Sequence, residues 1–111
     1  MTNIVRLAQI RRQHRIVFFN RRELNHLLSL YSRRVARGQW RDYALDHRPG
    51  LAIFSVFRSS AERPLFTITK RLLPGDRAPE YALMDGRQPI RRSPDIAELV
   101  DSFDQGLRVV G

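Results

Sequence analysis

The spacing of apolar residues along the chain switches between two periods, and each switch marks an element. Leu24, Leu27, Leu28, Tyr31 and Val35 recur at i, i+3, i+4, i+7 and i+11, one face of a helix. Asn20 reads as its N-cap, and Glu23 three residues later completes a capping box with Asn in the Ser/Thr role. Phe19 and Leu24 hold the staple positions around that cap. Gly38 can take φ > 0 and ends the helix. Ahead of it, His14–Phe19 is a short apolar run that reads as a first strand. Residues 1–13 show no clear periodicity and read as a basic arm.

After Gly38 the period falls to two. Trp40–His47 places Arg41, Tyr43, Leu45 and His47 on one side and Trp40, Asp42, Ala44 and Asp46 on the other. Arg48-Pro49-Gly50 is a turn, with Pro presetting φ and Gly supplying the left-handed position. Leu51–Arg58 is apolar on both faces and rich in β formers, as an interior strand is. Leu65–Arg71 and Glu80–Asp85 follow as strands, separated by the long loop Leu72–Pro79. Asp85-Gly86 signals a hairpin into a short strand near Gln88–Arg91, which Pro89 confines to an edge. Ser93-Pro94 then reads as the start of a second helix, Ser as N-cap and Pro at the first position. Its buried stripe is Ile96, Leu99, Val100, Phe103 and Leu107, with Asp95 in the first turn and a stop at Gly106.

The predicted order is therefore β-α-β-β-β-β-α in a single domain spanning residues 14–111. Two amphipathic helices must bury their stripes, and one face of an antiparallel sheet of four to five strands is the simplest surface for both. The expected fold class is a two-layer α+β domain.

Composition adds limits to this picture. At 111 residues, 42% hydrophobic and 28% charged, the chain is that of one globular domain able to bury a core without metal or disulfides. It has no cysteine, which removes disulfides, thiolate nucleophiles and Cys-ligated zinc, and mildly favours a reducing compartment. The apolar runs Ile16–Phe19 and Ala52–Phe57 fall far short of the roughly 20 residues that cross a bilayer. The N-terminus has no apolar core of a secretory signal, and a cytoplasmic location is expected. Residues 1–22 are Arg-rich and acid-free like an organellar presequence, but their apolar residues form no clean helical face.

Charge is spread unevenly. Residues 1–48 hold 11 Arg against Glu23, Asp42 and Asp46, a balance of +8, whereas residues 49–111 carry +1 of the total +9. Such asymmetry points to a polyanion as partner, DNA or RNA first and an anionic membrane surface second. Arg also outnumbers Lys 19 to 1, a skew that GC-rich codon usage explains, although codon usage does not explain the asymmetry. At 100° per residue, Arg22, His26, Ser29, Arg33 and Arg37 form an outer stripe on the first helix. With Arg6, Arg11, Arg12 and Arg15 on the arm they make a basic footprint for nucleic-acid backbone. The competing reading is a solvated helix face, the commonest fate of charges opposite a core.

Catalytic chemistry finds little support. Asp42 and Asp46 share a strand face but lie about 13 Å apart, too far to hold one metal ion. His14, His26 and His47 have no metal-ligand spacing, and the six glycines form no phosphate loop. The only lysine, Lys70, has Ile68 rather than an acid two residues before it, so a restriction-type nuclease core fails. Ser55, Ser59 and Ser60 lack the context of a nucleophile elbow. No cofactor or metal is expected, and the chain reads as a binding domain rather than an enzyme.

Recognition of bases is also weak, since Phe54, Phe57, Phe66 and Phe103 are needed in the core and no RNP-type signature is present. The α-β-β-β-α portion has the element order of double-stranded RNA-binding domains, a fold-level analogy only. Those domains set a basic second helix on the phosphates, whereas the second helix here carries Asp95, Glu98, Asp101 and Asp104. Its outward Glu98, Asp101 and Gln105 instead suggest a protein adaptor, or head-to-tail self-association into a homo-oligomer.

Three strings carry a resemblance: Val17-Phe18-Phe19-Asn20-Arg21-Arg22-Glu23-Leu24, Gln39-Trp40-Arg41-Asp42-Tyr43-Ala44 and Phe54-Ser55-Val56-Phe57-Arg58. They resemble a small alphaproteobacterial family of uncharacterised proteins, over roughly Val17 to Asp104. The resemblance implies a cytosolic bacterial protein and transfers no mechanism. It draws attention to Trp40, Arg41, Asp42, Tyr43 and Arg58 as a candidate interaction cluster. The alternative for the same residues is a Trp/Tyr core with an Arg–Asp strand pair.

Overall fold

The structure, a computed structural model, describes residues 16–59, 63–73, 75 and 78–104. Helix α1 (Arg21–Ala36) is followed by strands β1 (Asp42–Arg48), β2 (Leu51–Phe57), β3 (Phe66–Arg71), β4 (Glu80–Asp85) and β5 (Gln88–Ser93), and then by helix α2 (Ile96–Asp104). The strands form one antiparallel sheet in sequence order, β1-β2-β3-β4-β5, as consecutive hairpins would produce. This is the expected α+β fold with two helices and a five-stranded sheet.

Alternation along the interior strands decides which face the helices cover. Ala52, Phe54 and Val56 of β2, Phe66 and Ile68 of β3, and Tyr81 and Leu83 of β4 are buried, together with Leu27 and Leu30 of α1. From α2 they meet Ile96, Leu99, Val100 and Phe103, and from the connecting segments Val17, Phe19 and Trp40. Phe103 is the hub of the aromatic packing, edge-on to both Trp40 and Phe66.

Helix α1 begins as its cap predicts. The Glu23 N–H donates to Asn20 Oδ1 at 2.8 Å and the Asn20 N–H donates to Glu23 Oε1 at 2.6 Å. It ends in a Schellman motif: the Gly38 N–H donates to the Val35 carbonyl and the Gln39 N–H to Arg34, with Gly38 at φ 73°. Its buried face is rotated from the predicted one. Glu23, Leu27 and Leu30 are fully covered, Leu24, Leu28 and Tyr31 partly, and Val35 is exposed. The helix packs beside α2 as well as against the sheet, so the covered stripe runs through Leu30, which an i, i+3, i+4 reading from Leu24 passes over.

Four further boundaries differ from the expectations. Ile16–Phe19, the described part of the predicted first strand, joins no strand of the sheet, although Val17 and Phe19 still turn inward. Two apolar side chains against one helix end can be buried by packing alone, without pairing, while Ile16 and Phe18 stay exposed. Trp40 precedes β1 and sits in the core. β5 runs on to Ser93, so Ser93 is the last strand residue and not the helix cap. Asp95 takes that role, its Oδ1 accepting the Ala97 N–H while its carbonyl accepts the Leu99 N–H. The Ser93 hydroxyl instead bonds the Asp95 backbone and shapes the turn through Pro94. The predicted Gly106 stop and Leu107 lie outside the described residues.

Candidate nucleic-acid interface

The outer side of α1 is determined by what its inner side consumes. Glu23 is the only carboxylate before Asp42, and it is buried at 2% exposure. Lys70 and Tyr81 stand opposite each other in the β3–β4 register, on the helix-covered face. Lys70 Nζ donates to Glu23 Oε1 at 2.7 Å and to the Phe18 carbonyl at 2.8 Å, while the Tyr81 hydroxyl donates to Glu23 Oε2. Burial alone would raise the Glu23 carboxyl. The hydrogen bonds from Lys70, Tyr81 and Asn20, with the Lys70 charge, outweigh it and hold the group below the usual carboxylate range. The Tyr81 phenol moves the other way, raised well above its ordinary value by burial and then by the Glu23 carboxylate.

The consequence is electrostatic. The single acid of α1 is neutralised inside the protein by the single lysine, so every charge the helix presents to solvent is positive. Arg21, Arg22, Arg33 and Arg37 are exposed, with Ser29 between them and His26 half-buried. The stripe spans about 22 Å from Arg22 to Arg37, and Arg33 and Arg37 are one turn, about 6 Å, apart. At its base Arg22 approaches Asp95 to 3.9 Å, a contact between two half-exposed groups that screening keeps weak. Arg34 turns inward instead: it donates to Gln39 and to the Phe103 carbonyl, with its guanidinium 5.6 Å from the Phe103 ring centre. Arg6, Arg11, Arg12 and Arg15 of the arm lie outside the described residues.

The residues singled out around Trp40 separate. Trp40 is buried against Phe103, so it contributes to the core and not to a surface. Arg41, Asp42, Tyr43 and Arg58 are exposed, and Tyr43 packs edge-on against Tyr31 and tilted over Phe54. The Tyr31 hydroxyl donates to the Arg41 carbonyl, which ties this end of β1 to α1. On α2, Glu98 and Asp101 are exposed, and Glu98 lies 3.8 Å from Arg91. Gln105 is outside the described residues.

Lys70 and Tyr81 escaped sequence reasoning as partners of Glu23. The signal was present in part: Phe66, Ile68 and Lys70 share a strand face, so a lone lysine falls on an otherwise apolar side. Among the described residues no group of three or more His, Asp or Glu comes together to hold a metal, and no helix is long and apolar enough to cross a membrane. A shallow hollow of about 260 Å³ is lined by Leu73, Ala78, Pro79 and Pro94 with Glu80, Arg92 and Ser93. Its Glu80 lies 3.9 Å from Arg92 across the hollow and 2.7 Å from Arg71 outside it.

Residues 17–99 match the family described as "Protein of unknown function (DUF2794)". The chain belongs to the DUF2794 family. The match begins at Val17, where the Val-Phe-Phe-Asn-Arg-Arg-Glu-Leu string starts, and ends at Leu99, five residues before Asp104. It takes in the whole sheet, α1 and the Glu23–Lys70–Tyr81 network, and leaves the Arg-rich arm outside. No curated protein and no solved structure matches the chain.

Proposed function

We propose that this DUF2794 protein is a non-enzymatic domain that binds nucleic-acid backbone through the outer stripe of α1 and the arginines preceding it. One observation carries the reading: burial of Glu23 against Lys70 leaves the exposed surface of α1 with basic charge only. Arginine suits the role, since its planar fork pairs two phosphate oxygens at once. Backbone contacts position a protein without reading sequence, so little base preference is expected. The bacterial cytoplasm, where nucleic acid is accessible and a cysteine-free chain loses nothing, is the compartment this reading assigns.

The test is salt dependence. If about five to seven phosphates are neutralised, log K on duplex DNA falls against log salt with a slope of roughly −4 to −6. Replacing Arg22, Arg33 and Arg37 together by Ser should flatten that slope by about three units. Arg41→Ser and Arg58→Ser are the comparison, on a different part of the surface. A folded protein that retains no DNA or RNA at about 50 mM salt ends the reading. A protein adaptor would then take its place, supported by the exposed Arg41, Asp42, Tyr43 and Arg58 and the acidic outer face of α2.

A further inference from the structure

The two edges of the sheet are built differently. β5 carries Pro89, a register irregularity opposite Leu83/Met84, and Arg91 and Arg92, all devices that discourage pairing with another strand. β1 has none of the first two. It runs seven residues without Pro or Gly, in unbroken register with β2 from Asp42↔Phe57 to Arg48↔Leu51, and all seven are exposed. The closing pair Arg48↔Leu51 of a two-residue turn sets the alternation, so Asp42, Ala44, Asp46 and Arg48 bond to β2. The backbone of Tyr43, Leu45 and His47 then faces the open edge. Two observations agree with that assignment: the Tyr43 N–H is taken by Asp42 Oδ1 and the His47 N–H by Asp46 Oδ1, each at 2.8 Å, and these two exposed carboxylates must swing off before a partner strand's carbonyls can replace them.

The side chains along this edge are apolar on the helix-covered side. Tyr43, Leu45 and Phe18 are large hydrophobic residues exposed by 39%, 48% and 59%, and Phe18 packs edge-on against His47. We propose that two copies of this chain pair antiparallel along β1 about a two-fold axis at Leu45, fusing two five-stranded sheets into one. Charge selects that register. Because odd-numbered residues face the edge, odd residues pair with odd. Centring on Leu45 sets Tyr43 opposite His47, Ala44 opposite Asp46 and Asp42 opposite Arg48. A shift of one step in one direction sets Asp42 opposite Asp46, and in the other Asp46 opposite itself. A His47-centred register also joins Asp46 to Arg48, but it overlaps only residues 46–48 of the strand and sets Leu45 against Pro49. The Leu45-centred register alone lays all seven residues of β1 together and pairs opposite charges, twice by symmetry, with no like charges directly opposite. It also lays Tyr43 and Leu45 of one copy beside Leu45, His47 and Phe18 of the other. The two-fold axis is normal to the sheet, so both helical layers lie on the same face.

Sedimentation equilibrium of the full chain at about 100 µM tests this, the expected species having twice the 13.0 kDa of the chain. Leu45→Lys brings two ammonium groups together at the axis and should leave a folded monomer, its circular dichroism unchanged because the side chain is half-exposed. Asp42→Arg or Arg48→Asp alone should weaken the dimer roughly tenfold, and the two combined should restore it. A monomer at that concentration overturns the proposal. So does a dimer that ignores Leu45→Lys, or a charge reversal that the combined variant fails to rescue, since either would place the contact elsewhere, such as α1 against the acidic face of α2. Nucleic-acid retention is read separately, and neither result depends on the other.

Discussion

The two helices lie on one face of one sheet, yet they are held there by different physics. α2 buries no charge among its described side chains: Ile96 and Leu99 are fully covered, Val100 and Phe103 nearly so, and the one buried polar side chain, Ser102, donates to its own helix at the Leu99 carbonyl. α1 buries Leu27 and Leu30 in the same way but is also pinned by hydrogen bonds from charged groups near both ends. Glu23 meets Lys70 and Tyr81 near its start, and the Arg34 guanidinium donates to the Phe103 carbonyl of α2 near its finish. An apolar stripe tolerates a small slide or rotation, because dispersion and hydration are non-directional. A carboxylate that must accept from a lysine, a phenol and a backbone N–H at once tolerates neither. Their outer faces differ as well, basic on α1 and acidic on α2, and the first follows from the inward turn of Glu23.

Stability measurements can break this contrast, and the largest effects should come from the anchors. Glu23→Gln leaves Lys70 charged and unpaired at 11% exposure, and should cost roughly 3–5 kcal/mol in urea unfolding. Leu99→Ala at the centre of α2 should cost a similar 2–5 kcal/mol by cavity formation. The two separate in combination. Glu23→Leu with Lys70→Met should recover much of the loss, because removing both charges removes the burial penalty with them. No partner substitution should rescue Leu99→Ala. If the paired variant is no better than Glu23→Gln, the ionic anchor is not what holds α1.

A pH series sharpens the contrast further. The folded Glu23 carboxyl lies below its ordinary value of 4.5, so its stabilisation is complete above that value. It is lost as pH falls through the lower folded value. Unfolding midpoints should therefore drop in acid for the wild type and for Leu99→Ala alike, while Glu23→Gln shows a shallower acid limb. Equal limbs in all three would assign the acid sensitivity to other carboxylates.

Smaller effects test the ends and the outer faces. Asp95→Ala removes the cap of α2 and should cost about 0.5–2 kcal/mol. On α1 the triple replacement of Arg22, Arg33 and Arg37 by Ser should stay within roughly 0.5 kcal/mol per site, because all three residues are exposed. A large loss there would mean that the stripe is structural, and its use as a binding face would go with it.

Local chemistry was legible in the chain wherever adjacent residues decide the outcome. The Asn20/Glu23 box, the Gly38 stop, the Pro49-Gly50 and Asp85-Gly86 turns and the alternation of β2 all depend on backbone preferences within a few residues. The α+β class follows from two helical stripes and a run of period-two segments. Boundaries that depend on distant packing were not legible. Whether Ile16–Phe19 pairs or merely packs, whether Val35 or Leu30 is covered, and whether Ser93 ends a strand or caps a helix depend on what lies across the core. The basic stripe is intermediate: its residues can be placed on a helical wheel, but its freedom from acid cannot. The sequence by itself determined that Glu23 caps a helix and that Lys70 sits on an apolar strand face. Only the tertiary structure decided that these two, 47 residues apart, neutralise each other inside the protein. A capping carboxylate has a second oxygen and spare lone pairs, and no local rule says whether water or a buried lysine and phenol will fill them.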